Sequence, residues 1–486
     1  MFEAEPFRVE RGEDERDGGG AGVDKTFREF DPHQVLLLPP SLDDWLPADH
    51  LARFVADLVD EHLDLSRIYA AYREGRGAPP YDPRLMVRLL VYGYATGVRS
   101  SRAIERACTD IVAFRWLAAG SAPDYRAIAR FRRRHLAALA NLFLQALALC
   151  QAAGMVKLGR VALDGTKLRA NASKRKAMSY ARLTEKEKIL AQEVSELLAA
   201  AEETDRAEDA KYGKDRRGDE LPDALARRES RLAKLREARQ ALEDQARAEA
   251  GAKAAEKARE RGEDEDTVAE RAAQAAERAT PKPKAQRNFT DPESKIMLTG
   301  DGSFQQCYNA QAVVDAEHQV IVATDLNDCA ADVANLIPLT EQAVANTGQV
   351  PKAVLADAGY CSAANLATAA ELTQRQGTEF YIATGRRRHG EPASIAPRGP
   401  IPKNATAKQR MARKLTTKTG QAAYARRKVI VEPVFGQMSI LQDAKRLLLR
   451  GLYGAKGEWF LLAACHNLRK LHRHLGSAGL AGLRTA

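Results

Sequence analysis

Two short apolar runs, far apart in the chain, each end on an aspartate that a glycine follows within two positions. They are Val161-Ala162-Leu163-Asp164-Gly165-Thr166 and Ala353-Val354-Leu355-Ala356-Asp357-Ala358-Gly359-Tyr360. A brief uninterrupted apolar run bounded by turn residues reads as a buried strand. The glycines read as the points where the chain leaves each strand sharply. Each strand is therefore expected to deliver one carboxylate to its end.

A third acid, Glu432, sits between Lys428 and Gly436 in the most basic part of the chain. From Gly385 to Arg450 there are sixteen Lys or Arg against three acids, while the whole chain carries +10. The remainder is thus slightly acidic, and one segment holds the basic character. A merely solvated face carries mixed signs; a one-signed segment is a directed electrostatic footprint. Three converging carboxylates can hold two divalent cations roughly 3.5–4 Å apart, the arrangement for in-line displacement at phosphorus. Positive charge beside them suits a polyphosphate substrate. The chemistry indicated is nucleic-acid cutting or strand transfer.

The six cysteines are scattered, with no CxxC or CxH pair, so neither a zinc site nor a disulfide framework is expected. No apolar run approaches the roughly eighteen residues of a membrane span. The start, Met1 to Phe7, has no basic, apolar signal pattern. A cytoplasmic protein, away from membranes, is the expectation.

Composition divides the 486 residues. Residues 1–30 are acidic and Gly-rich and read as a disordered tail. Residues 31–155 read as an all-α domain for DNA binding or assembly. There Pro83 opens an apolar helix, Ser100 or Ser101 a shorter one, and Asp124 caps a third that carries Arg130, Arg132, Arg133 and Arg134. A short helix, a turn and an Arg-rich helix are compatible with a helix-turn-helix against DNA. Residues 173–280 change abruptly to Ala, Glu, Lys, Arg and Gln. Leu225, Leu232, Leu235 and Leu242 have the spacing of a narrow coiled-coil seam, facing Leu190, Val194 and Leu197. This reads as an inserted charged helical hairpin with a loop at Gly213, Gly218 and Pro222. Its tail, 246–279, has little to bury. Residues 156–172 and 281–475 form the catalytic domain, and 476–486 a tail. Within that domain the order is strand, hairpin (308–314 and 319–324), helix, strand, helix, strand (379–384), basic loop, helix. That is an α/β fold, a mixed sheet flanked by helices.

These residues resemble the DDE transposases of bacterial insertion sequences. Leu163-Asp164-Gly165-Thr166 matches the first acidic motif and Ala356-Asp357-Ala358-Gly359-Tyr360 the second. The segment Tyr424 to Gly436 resembles the Tyr-Arg-Glu-Lys helix of these families. Asn288 to Met297, Tyr308-Asn309-Ala310-Gln311 and Glu458 to Lys470 are similar to the IS-eleven-eighty-two kind. The resemblance implies a ribonuclease H-like catalytic fold and a metal site of Asp164, Asp357 and Glu432. It also implies two Mg²⁺ ions, with Mn²⁺ able to substitute, double-stranded DNA as partner, and a homodimer on the DNA. Besides the four arginines above, the expected DNA contacts are Lys167, Arg169, Tyr424, Arg426, Arg427, Lys428, Lys445 and Arg446. One departure is Ser439, seven residues after Glu432, where the family often has Lys; Lys445, Arg446 and Arg450 are the nearby alternatives. Three readings stand: a cut-and-paste transposase, a ribonuclease H-like nuclease without strand transfer, and a decayed or domesticated transposase that only binds DNA.

Overall fold

The computed structural model describes residues 41–72, 79–173, 176–212, 223–385, 399–402 and 404–483. The 1–30 tail, the loop at Gly213, Gly218 and Pro222, the first part of the basic segment (386–398) and residues 484–486 lie outside the described residues. Helices come first: α1 (Leu51–Asp57), α2 (Ser66–Tyr69), α3 (Pro83–Thr96), α4 (Ser101–Asp110), α5 (Val112–Leu117), α6 (Tyr125–Arg134) and α7 (Leu136–Ala152). Their starts follow local chemistry. The side chains of Asp82, Ser100 and Asp124 accept hydrogen bonds from the free N–H groups of α3, α4 and α6. Pro83 fills the first position of α3, where its missing N–H costs nothing. The unexpected α5, with Ala113, Phe114 and Leu117 buried, lies between α4 and α6. The expected pair of helices joined by a simple turn is therefore interrupted. Trp45, ahead of α1, is 51% exposed.

The strands are β1 (Val161–Arg169), β2 (Ala177–Ser179), β3 (Gln286–Asn288), β4 (Lys295–Leu298), β5 (Phe304–Asp315), β6 (Ile321–Asn327), β7 (Ala353–Ala356) and β8 (Glu379–Ile382). β1 is central. It pairs antiparallel with β5 along its whole length and parallel with β7 over Val161–Leu163. β8 lies parallel outside β7, and the far edge of β5 pairs with β4 and β6. β2 and β3 form a separate ribbon at the base of the insertion. Parallel neighbours need a crossover, supplied between β7 and β8 by α12 (Ala363–Gln376). Ser362 caps α12 and Gly377, at φ 75°, stops it. This open mixed sheet, flanked by helices and preceded by a helical region, is a ribonuclease H-like fold.

One expectation is corrected here. β1 does not end at Asp164 but runs on to Arg169, with Asp164 opposite Ala312 and Gly165 opposite Gln311. Gly165 is not a turn residue. A Cβ there would lie 2.3 Å from Gln311 Nε2, so glycine is required by close approach. Only Asp357 stands where its strand gives way to a turn, the 3₁₀ helix Ala358–Tyr360.

The insertion consists of α8 (Tyr180–Tyr212), α9 (Asp223–Glu260) and α10 (Glu265–Glu277). Leu232, Leu235 and Leu242 are buried against the α8 side, with Leu183, Leu190 and Val194, whereas Leu197 is exposed. The stretch 246–279, which seemed to have little to bury, is helical. α10 folds back on α9, burying Val268 and Ala258, and Gly251 lets Ala272 O approach within 3.2 Å of where a Cβ would stand. Small side chains permit that close packing with few large apolar residues.

After α11 (Leu336–Thr347), the chain continues from β8 into α13 (Ala407–Thr416), α14 (Lys418–Leu441) and α15 (Gly451–Leu480). α15 is packed against α7, α3 and α1 on one side and β6 on the other. The N-terminal helices and the sheet therefore share one continuous core, with Trp459, Leu461 and Leu462 inside it. Glu458, fully buried, accepts hydrogen bonds from Arg99 Nη1 (3.0 Å), Tyr94 Oη (3.3 Å), Leu448 N (2.7 Å) and Leu449 N (2.8 Å). Breaking a buried ion pair from one side leaves a charge without compensation. Glu458→Ala is expected to cost about 3–5 kcal/mol in urea unfolding. Lys456→Ala, which removes a half-exposed pair with Asp325, should cost about 1 kcal/mol or less.

Candidate active site

The register of β1 against β7 builds the site. Leu163 pairs with Ala356, so Asp164 and Asp357 are the next residues on neighbouring parallel strands. Both carboxylates are anchored locally: Gly165 N donates to Asp164 Oδ1 (2.9 Å) and Gly359 N to Asp357 Oδ1 (2.8 Å).

The third acid arrives on α14. Its buried positions Ala423, Arg427, Ile430, Val431, Val434 and Met438 recur every three or four residues, so one stripe faces the sheet. Arg427 lies on that stripe. Its Nη1 donates to Asp164 Oδ2 (2.7 Å), and its Nη2 lies 3.8 Å from Glu432 Oε1. Glu432, at the flank of the stripe, is about half exposed. Pro433 cannot donate to the carbonyl of Val429, and Gln319 Nε2 donates to it instead (3.1 Å). That contact fastens the turn carrying Glu432 to the segment before β6.

Burial pushes the Asp164 carboxyl above the ordinary carboxylate range; Arg427 offsets this in part and the nearby Asp357 adds to it. On the arginine, burial works against the charge but Asp164 outweighs it, so the guanidinium is held more firmly charged than usual. Three carboxylates and one guanidinium leave a formal charge of −2. Hard oxygen donors with that charge suit Mg²⁺ or Mn²⁺ in chemistry. In geometry the fit extends to Asp164 and Asp357, since Glu432 joins them through Arg427. No group of three such ligands among the described residues stands ready to hold an ion.

Comparison with known families gives two matches. A family described as "Transposase domain (DUF772)" matches residues 40–134, and a "Transposase DDE domain" matches residues 279–468. The chain has the domain architecture of a DDE transposase. The second match contains Asp357 and Glu432; Asp164 lies in neither, and β1 carries it across the insertion into the same sheet. No curated protein and no solved structure matches the chain.

The expected DNA contacts separate into two sets. Arg132 and Arg427 are corrected: both are buried and their guanidinium groups are used internally. Arg132 falls on the inner stripe of α6 with Ile128 and Phe131, and donates to Tyr94 Oη (3.1 Å) and Arg99 O (3.0 Å). Lys167 is mostly buried and bonded to Asp332 (2.9 Å), and Arg169 pairs with Asp301 (2.6 Å). Arg134 donates to Ala71 O and covers the Tyr72 ring, and Arg446 donates to Asn171 Oδ1 (2.8 Å). Tyr424 is half-buried beside Arg427, and burial raises its hydroxyl pKa. Arg130, Arg133, Arg426, Lys428 and Lys445 are exposed. His466 is buried with Nε2 3.0 Å from Gln319 O, and burial pushes its pKa down to about 4. No single helix among the described residues is long and apolar enough to cross a membrane.

Sequence reasoning missed Asp332. Its signal was indirect: Asn309 and Gln311 are polar side chains inside a buried strand, and such groups require partners.

The Asp164–Arg427 pair sets a pH dependence. A buried acid with a raised pKa supports folding while it is neutral and loses that support as pH rises through its folded value. Without Arg427 the rise is greater. Arg427→Ala should therefore cost about 3 kcal/mol at pH 8 and less as the pH is lowered and Asp164 takes up a proton. Urea unfolding over a descending pH series measures it.

Proposed function

We propose that this chain is a cut-and-paste transposase of the IS-eleven-eighty-two kind. It cuts double-stranded DNA at the terminal inverted repeats of its element and joins the 3′-ends to target DNA, acting as a homodimer in the cytoplasm. The observation that carries this is the placing of Asp164 and Asp357 just past the paired Leu163 and Ala356, beside a helix with exposed Arg426 and Lys428. Asp164 and Asp357 would hold the divalent cation, with Glu432 as the further ligand from α14. When bound there, Mg²⁺, or Mn²⁺ in its place, would supply Lewis-acid activation of the attacking water or 3′-hydroxyl and charge stabilisation for the leaving oxygen. The protein's own part is placement. Arg427 orients Asp164, and Arg426 and Lys428, exposed on the same helix, would contact the bound strand. Their role is electrostatic grip on phosphates, while the carboxylates carry the chemistry.

Incubation with Mg²⁺ and the inverted-repeat ends tests the reading. Cleavage with joining supports it, cleavage alone indicates a nuclease, and binding alone a DNA-binding remnant. Charge and chemistry should also separate by mutation. Asp357→Asn is expected to abolish cleavage and leave DNA affinity unchanged or slightly higher, because a negative charge near phosphate is removed. Arg426→Ala with Lys428→Ala should weaken binding and flatten its log–log salt dependence by about 0.9 per lost contact. Loss of binding in the Asp357 variant, or an unchanged salt slope in the double variant, would contradict this division.

A further inference from the structure

The face of β1 opposite Arg427 carries a second network, centred on Asp332, the residue before a short 3₁₀ turn (Val333–Asn335). Asp332 Oδ1 accepts three hydrogen bonds: from Lys167 Nζ (2.9 Å), Asn309 Nδ2 (2.7 Å) and Gln311 Nε2 (2.8 Å). Gln311 Oε1 in turn accepts from the buried Tyr360 hydroxyl. Asn365 Nδ2 closes the ring by donating to both Val333 O (2.7 Å) and Tyr360 O (2.8 Å). Thus one carboxylate ties together β1, β5 and the turn after β7.

Two glycines show how close this carboxylate lies to the site. A Cβ on Gly165 would stand 3.0 Å from Asp332 Oδ1, and one on Gly359 would stand 3.3 Å from Asp332 Oδ2 and 3.0 Å from Asp357 Oδ1. Neither glycine has a positive φ, so neither is needed for an unusual backbone conformation. Both leave room for Asp332. Each immediately follows, or follows by one residue, an aspartate of the site.

We propose that Asp332 is a positioning residue: from the far face of the sheet it fixes the backbone at Gly165 and Gly359, and through them the separation and aim of Asp164 and Asp357. This rests on the reading that those two aspartates hold a divalent cation. It gives Tyr308-Asn309-Ala310-Gln311 a role as well. Asn309 and Gln311 are the donors that hold Asp332, and its remaining bond neutralises it with Lys167, leaving the −2 of the cation site undisturbed.

The test measures Mn²⁺ binding to the full chain by electron paramagnetic resonance, alongside thermal unfolding and DNA cleavage. Asp332→Ala should weaken Mn²⁺ binding about tenfold, as expected for loss of a residue that orients metal ligands. DNA affinity should be unchanged, with the loss of cleavage in kcat and not in KM. Asp332→Asn keeps the acceptor oxygen and should recover most of the Mn²⁺ affinity. Gly359→Ala inserts a methyl between Asp332 and Asp357 and should also weaken Mn²⁺ binding. Because Asp332→Ala relieves that crowding, the double variant should bind no worse than the weaker single, a non-additivity diagnostic of contact. Wild-type Mn²⁺ affinity in folded Asp332→Ala overturns the proposal. If Asp332→Ala does not fold, Asp332→Ser, which also vacates that space, replaces it in the cycle with Gly359→Ala, and strict additivity there overturns it. A wild type that binds Mn²⁺ but does not cut DNA refutes the transposase reading and leaves the Mn²⁺ comparison to decide this one. A wild type that binds no Mn²⁺ overturns both.

Discussion

Two like charges on adjacent strands are the constraint around which this structure is arranged. The parallel pairing of Leu163 with Ala356 makes Asp164 and Asp357 neighbours, and burial makes their repulsion costly. Arg427 meets that cost from one face of the sheet. On the other face Asp332 holds the chain beneath them through Asn309, Gln311 and Lys167. The site is therefore clamped between a cation above and a neutralised carboxylate below, with net negative charge between. Such an arrangement is stable enough to fold and still suited to a divalent cation.

The surrounding architecture maintains that register. α15 fills the space between the N-terminal helices and the sheet. Its Glu458 holds the segment just before it through two backbone N–H groups, and Trp459 Nε1 donates to Thr324 Oγ1 of β6 (2.6 Å). Asn467 bonds both the N–H and the carbonyl of Ile321 in the same strand. Displacing α15 would thus be felt at β6, then β5, then β1. The insertion has its own small core and meets the catalytic sheet at the β2–β3 ribbon, a design that leaves the strand order intact across about a hundred added residues.

Much of this was legible in the sequence. Apolar runs gave β1, β5, β6, β7 and β8, and capping residues placed α3, α4, α6 and α12, because these signals depend on near neighbours. The two apolar runs also led to the aspartates that the sheet brings side by side. What failed did so for tertiary reasons. Gly165 looked like a turn because sequence cannot show that Gln311 would collide with a side chain. Arg132 and Arg427 were counted as surface charge, although each falls on the apolar stripe of its helix with Ile128 and Phe131, or with Ala423, Ile430 and Val434. That periodicity was readable and was outweighed by the basic composition around it. Asp332 is the opposite case: Asn309 and Gln311 announced a buried partner, but only the fold identifies it.

We propose that Asp164 and Asp357 hold a divalent cation, with Glu432 as the further ligand from α14. It is tested most directly by loading the protein with Fe²⁺ in place of Mg²⁺ and adding ascorbate and peroxide, so that radicals formed at the ion cut the nearby chain. The account predicts cuts in β1 near Asp164, in the turn near Asp357 and in α14 near Glu432, suppressed by excess Mg²⁺. Cuts confined to other segments, or an unchanged pattern in Asp164→Asn, would contradict it.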